Sequence, residues 1–176
     1  GFPVDFTVSV WNGTEWKNVA TKTGVTATEA YEINFAEIDG RAVKIEVTKL
    51  GPSDNANEPY TLQLAEVEIY GVASGSTLPD PDTQTSNPSN PSPSTPSDDT
   101  IASIENNIAP LAVVSGEEVN ANWAAKLKLI NLNDKDLNSW YSSKYETKQE
   151  TTKNIYFTYD KAYKISEVTM YPRTSA

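Results

Sequence analysis

The chain of 176 residues contains neither histidine nor cysteine. Without histidine the commonest general base and metal ligand is missing, and without cysteine there are no disulfides, zinc thiolates or thiol nucleophiles. Serine-histidine triads, zinc hydrolysis and papain-like chemistry are therefore excluded. Paired carboxylates and oxygen-ligand sites for hard metals remain open.

Positive charge and long apolar runs are also scarce. Fourteen Lys and Arg stand against twenty-four Asp and Glu, which gives a net charge of −10. An acidic surface repels phosphate backbones, so nucleic acid is not an expected partner. The longest apolar run, around residues 108–114, is far too short to cross a bilayer, and we expect no membrane insertion.

One segment in the middle of the chain lacks the side chains of a packed domain. Residues 74–100 hold six of the eleven prolines, no aromatic residue and one leucine. Such a composition cannot offset the entropy of ordering, and its prolines favour extended segments. We therefore predict a linker over residues 74–104 between two folded segments, residues 1–73 and 105–176.

Both folded segments show the alternation of half-buried strands. Between the first two strands, Asn12-Gly13 has the composition of a hairpin turn. No helix of ordinary length is visible, so the pattern predicts an all-β sandwich or barrel. The alternating apolar sets are Phe6, Val8 and Val10; Tyr31, Ile33 and Phe35; Val43, Ile45 and Val47; and Ile155, Phe157 and Tyr159.

The segment "TLQLAEVEIYG" changes the phase of its alternation. Leu62 and Leu64 share a face with Val67 and Ile69 only if one residue is inserted near Ala65-Glu66. That is the pattern of a β-bulge, which frees a carbonyl from the ladder and redirects a side chain. Oxygens of Ala65 and Glu66 are therefore expected to face something other than a neighbouring strand.

A turn rich in side-chain oxygens, "NLNDKDLNSW", covers residues 131–140. Calcium binds six to eight oxygens at about 2.3–2.6 Å, and such a turn could supply several of them. The spacing does not fit an EF-hand loop. Asn and Asp side chains that cap their own backbone are the alternative interpretation of this turn.

Several of these motifs together resemble one family. "LNDKDLNSWYSS" is similar to the Asp-rich turn of coagulation-factor type C (discoidin) domains, which include the family 32 carbohydrate-binding modules. "YTLQLAEVEIYG" resembles their closing strand, "GFPVDFTVSVWNGTEWKNVAT" and "GRAVKIEVTKLG" their middle strands, "NNIAPLAVVSG" their opening strand, and "YKISEVTMYPR" the strand before the middle segment. The resemblance implies a discoidin-type β-sandwich, or jelly roll.

The order of the two halves is reversed relative to this family. Residues 105–176 resemble the N-terminal half of the domain, and residues 1–73 resemble the C-terminal half. Three arrangements could produce this order: a circular permutant that closes within one chain, head-to-tail exchange of half-domains between chains, or a window cut from tandem domains. A linker of this length can span a small sandwich, so closure within one chain is the expectation, with exchange as the alternative.

The resemblance implies a structural calcium ion between the Asp-rich turn and the closing strand. Carboxylates are expected from Asp134 and Glu66, Asp136 occupies the family's Asn position among the ligands, and Ser139 stands where the family has Thr. Backbone carbonyls are expected from Ala65 and Asn131. Lys135 stands where the family has Gly, so a positive φ at this position would strain it.

The resemblance also implies carbohydrate binding. An aromatic face packs against the apolar face of a pyranose, and charged groups bind its hydroxyls. Arg173 resembles an arginine that contacts galactose-type sugars, and Tyr60, Trp123 and Tyr145 are its expected neighbours. Trp11, Trp16 and Trp140 are expected in the core instead.

The function expected from the sequence is therefore a non-catalytic, calcium-stabilised carbohydrate-binding module for galactose-type glycans. It is expected to be part of an extracellular or cell-surface multidomain bacterial protein. An adhesive module that assembles head-to-tail with copies of itself is the alternative. Glu66 and Asp134 could be imagined as a glycosidase pair, but both are assigned to the calcium site, so no enzyme is expected.

Overall fold

The computed structural model describes residues 1–53, 55–81, 106–116 and 126–173. No α-helix is present in these residues, and two short 3-10 turns cover Ala109–Leu111 and Leu129–Leu132. The predicted all-β architecture is confirmed. The strands are β1 (Asp5–Trp11), β2 (Trp16–Lys22), β3 (Tyr31–Lys49), β4 (Gly51–Pro52), β5 (Tyr60–Thr61), β6 (Gln63–Ala73), β7 (Val113–Gly116), β8 (Tyr141–Ser142) and β9 (Lys153–Pro172).

The predicted hairpin between β1 and β2 is present. Gly13 has φ 98°, a conformation that glycine adopts without steric cost. The side-chain oxygen of Asn12 accepts hydrogen bonds from the backbone N–H groups of Thr14 and Glu15, each at 3.0 Å. These bonds fix the turn, and β1 pairs antiparallel with β2 beyond it.

Two long strands, β3 and β9, organise the sheet. They pair antiparallel along most of their length, but the second neighbour of β9 changes along the strand. Residues 155–158 of β9 pair with β7, whereas residues 163–172 pair with β6. The resulting antiparallel sheet of seven strands has the order β2-β1-β3-β9-β6-β8, with β7 beside β9. This arrangement is consistent with a β-sandwich in which both layers share β3 and β9.

The alternating apolar residues form one core. Most of the predicted sets are fully buried, but Tyr31 and Phe35 are only partly buried against the core. Gly40 lies at a register shift between β3 and β9, where a Cβ atom would clash with Val10. The fully buried predicted residues are Phe6, Val8, Val10, Ile33, Val43, Ile45, Val47, Leu62, Leu64, Val67, Ile69, Ile155, Phe157 and Tyr159.

Segments before and after the predicted linker share the sheet. β9 lies between β3 and β6, so most of its ladder partners are strands of the first segment, and only β7 belongs to the second. Residues 74–81, the start of the predicted linker, lie along this sheet, and residues 82–105 are outside the described part of the chain. Within the described ranges, no helix has the length and hydropathy needed to cross a membrane.

Candidate functional site

The predicted bulge in β6 is present at Ala65. Leu64 pairs with Pro172 and Glu66 pairs with Tyr171, so β6 has one residue more than β9 between these two pairs. The extra residue restores the common face of Leu64 and Val67, both of which are fully buried. As a result Glu66 lies on the opposite face of the sheet from these apolar side chains.

The bulge brings Glu66 against the oxygen-rich turn. One carboxylate oxygen of Glu66 accepts a hydrogen bond from the backbone N–H of Lys135 at 3.0 Å. The other, Oε1, is buried and has no hydrogen-bond partner in the described part of the chain. The side chain is only 2% exposed, so this oxygen lacks the solvent that would normally satisfy it.

The electrostatics of Glu66 are those of a crowded acidic site. Burial, together with a smaller contribution from the nearby negative charge of Asp134, raises the pKa of Glu66 to about 8. The hydrogen bond from Lys135 acts in the opposite direction but does not offset these two effects. A buried carboxylate beside a second, exposed carboxylate favours either a bound proton or a bound cation.

The turn itself is closed by hydrogen bonds among its own residues. Asp134 accepts the backbone N–H of Asp136 at 2.9 Å and the hydroxyl of Ser139 at 2.8 Å. The carboxylate of Asp136 accepts both the backbone and the side-chain N–H of Asn138. Asp134 and Ser139 are thus adjacent near Glu66, whereas the contacts of Asp136 are those of a self-capping turn.

Lys135 occupies the left-handed region with φ 64°. The positive φ that would strain a lysine at this position is therefore present. This conformation directs the backbone N–H of Lys135 to Glu66, so the strained residue is the one that connects the turn to the bulge.

Two asparagines anchor the turn to its surroundings. The side chain of Asn131 donates to the carbonyls of Lys126 and Trp140, at 2.7 and 2.9 Å. Asn133, which sequence reasoning did not select, is buried and donates to the carbonyls of Ala109 and Ala112. Its own side-chain oxygen has no partner within the described residues. A buried Asn in a polar turn gave no distinctive signal in the sequence.

The donor set fits a calcium ion better than a transition metal. No group of three or more His, Cys, Asp or Glu side chains that could hold a metal is found in the described ranges. The site has two carboxylates, Glu66 and Asp134, with a hydroxyl from Ser139. Such all-oxygen ligands suit hard cations. The unpartnered Oε1 of Glu66 is the atom that a cation would satisfy.

Arg173 lies on Trp140. The guanidinium carbon is 4.5 Å from the centre of the indole ring, within the range of a cation-π contact. Arg173 has no ion pair with a described residue, which leaves its N–H donors available. Trp140 is only partly buried, as is Trp16, so the expected core location holds for Trp11 alone. Trp140 lies at the end of a polar turn, where Arg173 packs on its ring.

The recorded contacts of the other predicted sugar-binding residues are separate from the contact between Arg173 and Trp140. Tyr60 exchanges two backbone hydrogen bonds with Glu146, at 3.1 and 2.8 Å, which places Tyr145 beside it along the chain. Both tyrosines are partly buried. Trp123 lies outside the described residues.

A second polar group on the same face of β6 was missed by sequence reasoning. The hydroxyls of Tyr70 and Tyr171 both donate to one oxygen of Glu68, each at 2.7 Å. Burial, together with these bonds to an anion, raises the pKa of both tyrosines. The alternation of Glu66, Glu68 and Tyr70 after the bulge was the available signal, but the partner Tyr171 comes from a strand distant in sequence.

The chain was compared with known proteins at the level of families, sequences and structures. No protein-family model, curated protein or solved structure matches it significantly.

Proposed function

We propose that the protein is a calcium-stabilised, non-catalytic carbohydrate-binding module of the discoidin type. In this proposal it is part of an extracellular multidomain bacterial protein, and its two half-domains follow each other in permuted order. The resemblance of its sequence motifs and the all-β antiparallel fold support the proposal. The observation that carries it is the buried, unpartnered carboxylate oxygen of Glu66 beside the Asp-rich turn.

Calcium would be held where the bulge meets the turn. Glu66 and Asp134 would supply carboxylates, and Ser139 a hydroxyl. Ala65 and Asn131 would supply carbonyls, and Asp136 stands where the family has a further ligand. The bound ion would contribute positive charge that offsets the burial of Glu66 and its repulsion by Asp134.

This site would connect the two segments of the chain. Glu66 lies in β6, before the predicted linker, while the turn of residues 131–140 follows it. A cation bound to both would contribute its binding free energy to folding. It would also fix Trp140, which follows the turn directly and carries Arg173 on its ring.

Sugar would be bound beside this turn through Arg173. The indole of Trp140 holds the guanidinium in place, so its planar N–H donors are oriented before a ligand arrives. Vicinal sugar hydroxyls match such a pair of parallel donors. Tyr60, Tyr145 and Trp123 remain the proposed neighbours, with galactose-type glycans as the proposed ligands.

A glycosidase mechanism is disfavoured by the burial of Glu66. A catalytic acid must reach the glycosidic oxygen, but Glu66 is covered and one of its oxygens is bound to the backbone of Lys135. The two carboxylates of this site are therefore proposed as ligands rather than as an acid and a nucleophile.

A glycan array probed with the labelled chain in calcium tests the function. Binding confined to galactosides, and reduced in Arg173→Ala, is the expected result. The alternative function is head-to-tail assembly through exchanged half-domains, in which the pairing of β9 with β3 and β6 would form between chains instead of within one chain. Mass that grows with protein concentration, with no glycan signal, would support assembly and contradict the sugar-binding proposal.

A further inference from the structure

The first residues of the predicted linker, Ser74–Pro81, form an extended segment on the surface of the sheet, which we call the strap. Exposure along the strap alternates with a period of two. Gly75, Thr77 and Pro79 are exposed, whereas the residues between them are partly covered. An extended segment directs alternate side chains to opposite sides, so the strap presents one consistent face to the domain. The covered residues are Ser74, Ser76, Leu78 and Asp80.

The two serines of the strap bind a single carboxylate. Ser74 and Ser76 donate their hydroxyls to the two oxygens of Asp39, at 2.6 and 3.0 Å. These bonds lower the pKa of Asp39, with the bond from Ser74 the largest cause. The backbone N–H of Ser74 also donates to the carbonyl of Ala162. The start of the strap is thereby fixed to β3 and β9.

Leu78 and Pro79 lie against the turn of the first hairpin. A Cβ atom on Gly13 would be 3.1 Å from a methyl carbon of Leu78 and 3.1 Å from the ring of Pro79. Gly13 is buried by this contact, although it stands at the tip of a hairpin. The indole N–H of Trp11 donates to the carbonyl of Pro79 at 2.9 Å.

Arg41 connects the strap to the sheet with all of its guanidinium nitrogens. Its Nε donates to the carbonyl of Tyr159 in β9, and its Nη1 donates to the carbonyl of Leu78 at 2.9 Å. Its Nη2 lies 3.9 Å from the carboxylate of Asp80. The planar guanidinium group thus binds the carbonyl of Leu78 and lies beside the carboxylate of Asp80 at the same time.

We propose that Trp11, Gly13, Asp39 and Arg41 form a peptide-binding site that recognises an extended segment of the pattern Ser-x-Ser-x-Leu-Pro-Asp. The occupant is the chain's own strap. Each covered position of the strap has a partner, with Asp39 shared by the two serines, and two backbone carbonyls are bound as well. These features are those of extended-peptide recognition, in which main-chain bonds give affinity and alternate side chains give selectivity.

The site fixes where the linker leaves the domain. The strap runs from the end of β6 to the tip of the β1-β2 hairpin before the chain continues beyond residue 81. Tethering makes the local concentration of the strap high, on the order of millimolar, so modest affinity is enough to keep the site filled.

Nuclear magnetic resonance of the full chain tests this proposal through the indole N–H of Trp11, assigned by its loss in Trp11→Phe. In wild type this proton should be protected from solvent exchange. Leu78→Ala should accelerate its exchange by about tenfold or more, because the strap loses its contact with Gly13. Thr77→Ala, which alters an exposed strap residue, is the matched control and should leave exchange unchanged. Equal exchange in wild type and Leu78→Ala, or an equal effect of Thr77→Ala, would overturn the proposal.

Three further measurements identify the occupant. Ser74→Ala with Ser76→Ala should raise the pKa of Asp39, whereas Thr77→Ala should not. Protection of Trp11 should be independent of protein concentration; protection that increases with concentration would assign the site to a second copy and overturn the cis assignment. A synthetic peptide of residues 74–81 should restore protection to the Leu78→Ala chain at about 10 mM or below, and failure to do so would overturn recognition of the peptide pattern.

Discussion

The carboxylate of Glu66 accepts the backbone N–H of Lys135 at 3.0 Å, across 69 positions of sequence. The donor is a non-glycine residue with positive φ, and the acceptor is a buried acid that follows a β-bulge. Each of these features has a free-energy cost by itself. We propose that their convergence on one contact marks a ligand site, with calcium as the ligand.

Glu66→Gln should abolish the stabilisation by calcium and leave the stability of the calcium-free protein nearly unchanged. In Glu66→Gln the increase in melting temperature on adding calcium should disappear, because one of two carboxylate ligands is lost. At pH 6 to 7 without calcium, the free energy of unfolding should change by less than about 1 kcal/mol, since Gln resembles the protonated acid. Thermal melts with calcium and with chelator measure both. Glu167→Gln, an acid on the neighbouring strand, is the control and should keep the calcium response.

The calcium-free protein should become less stable as pH rises. The pKa of Glu66 is raised above its unfolded value of 4.5 to about 8 in the folded state. The folded state therefore holds the proton more tightly, and its contribution to stability is full below about pH 4.5 and is lost as pH rises through about 8. Urea unfolding in chelator between pH 5 and 9 should show a loss on the order of 1 to 3 kcal/mol from this group. The loss should be absent in Glu66→Gln, and an identical pH dependence in both proteins would contradict the assignment.

Replacing Lys135 by glycine should stabilise the protein. The left-handed conformation at φ 64° strains a lysine but not a glycine, and the backbone N–H donated to Glu66 is retained. We expect a gain of about 0.5–1 kcal/mol in the free energy of unfolding. Lys128 is an exposed lysine with an ordinary φ of −78°, so Lys128→Gly should instead lose a comparable amount. A loss in Lys135→Gly as large as in Lys128→Gly would show that the lysine is unstrained.

Removing Arg173 should weaken glycan binding without unfolding the protein. Loss of a charged donor to sugar hydroxyls should raise the dissociation constant for a galactoside about tenfold or more. The melting temperature should change little, since Arg173 contacts Trp140 at the surface end of β9. Lys161 also lies over an aromatic ring, that of Tyr163. As the control, Lys161→Ala should leave binding of the galactoside unchanged. Calorimetric titration of the three proteins checks this, and equal affinity of Arg173→Ala and wild type would exclude the assignment.

The core and the bulge could be predicted because both depend on local alternation. Phe6, Val8 and Val10 needed only the period of two, and the phase change at Ala65 required one extra residue whatever the partner strand was. The continuity of β3 and β9 through both layers could not be predicted. It includes a register shift at Gly40, where Val10 of another strand packs against the backbone, and this contact joins residues distant in sequence.

The amino-acid composition also could not predict that the strap is ordered. A segment rich in Ser and Pro does not form a core, so the composition predicts a linker that begins at residue 74. Its order comes instead from partners distant in sequence, Asp39, Arg41 and Trp11, which bind its hydroxyls and carbonyls. Trp140 was assigned to the core by its size, but its ring lies against Arg173. Contacts of this kind become visible only when the strands are placed.

The most direct test of the proposed calcium site is the melting temperature of the wild-type chain in excess chelator and in excess calcium, recorded at pH 7 by calorimetry. A ligand at one hundred times its dissociation constant stabilises by about 2.7 kcal/mol, which for a domain of this size is a shift of roughly 5–10 °C. The account predicts such an increase with calcium. An unchanged melting temperature would contradict it and would leave the turn of residues 131–140 as a self-capped loop.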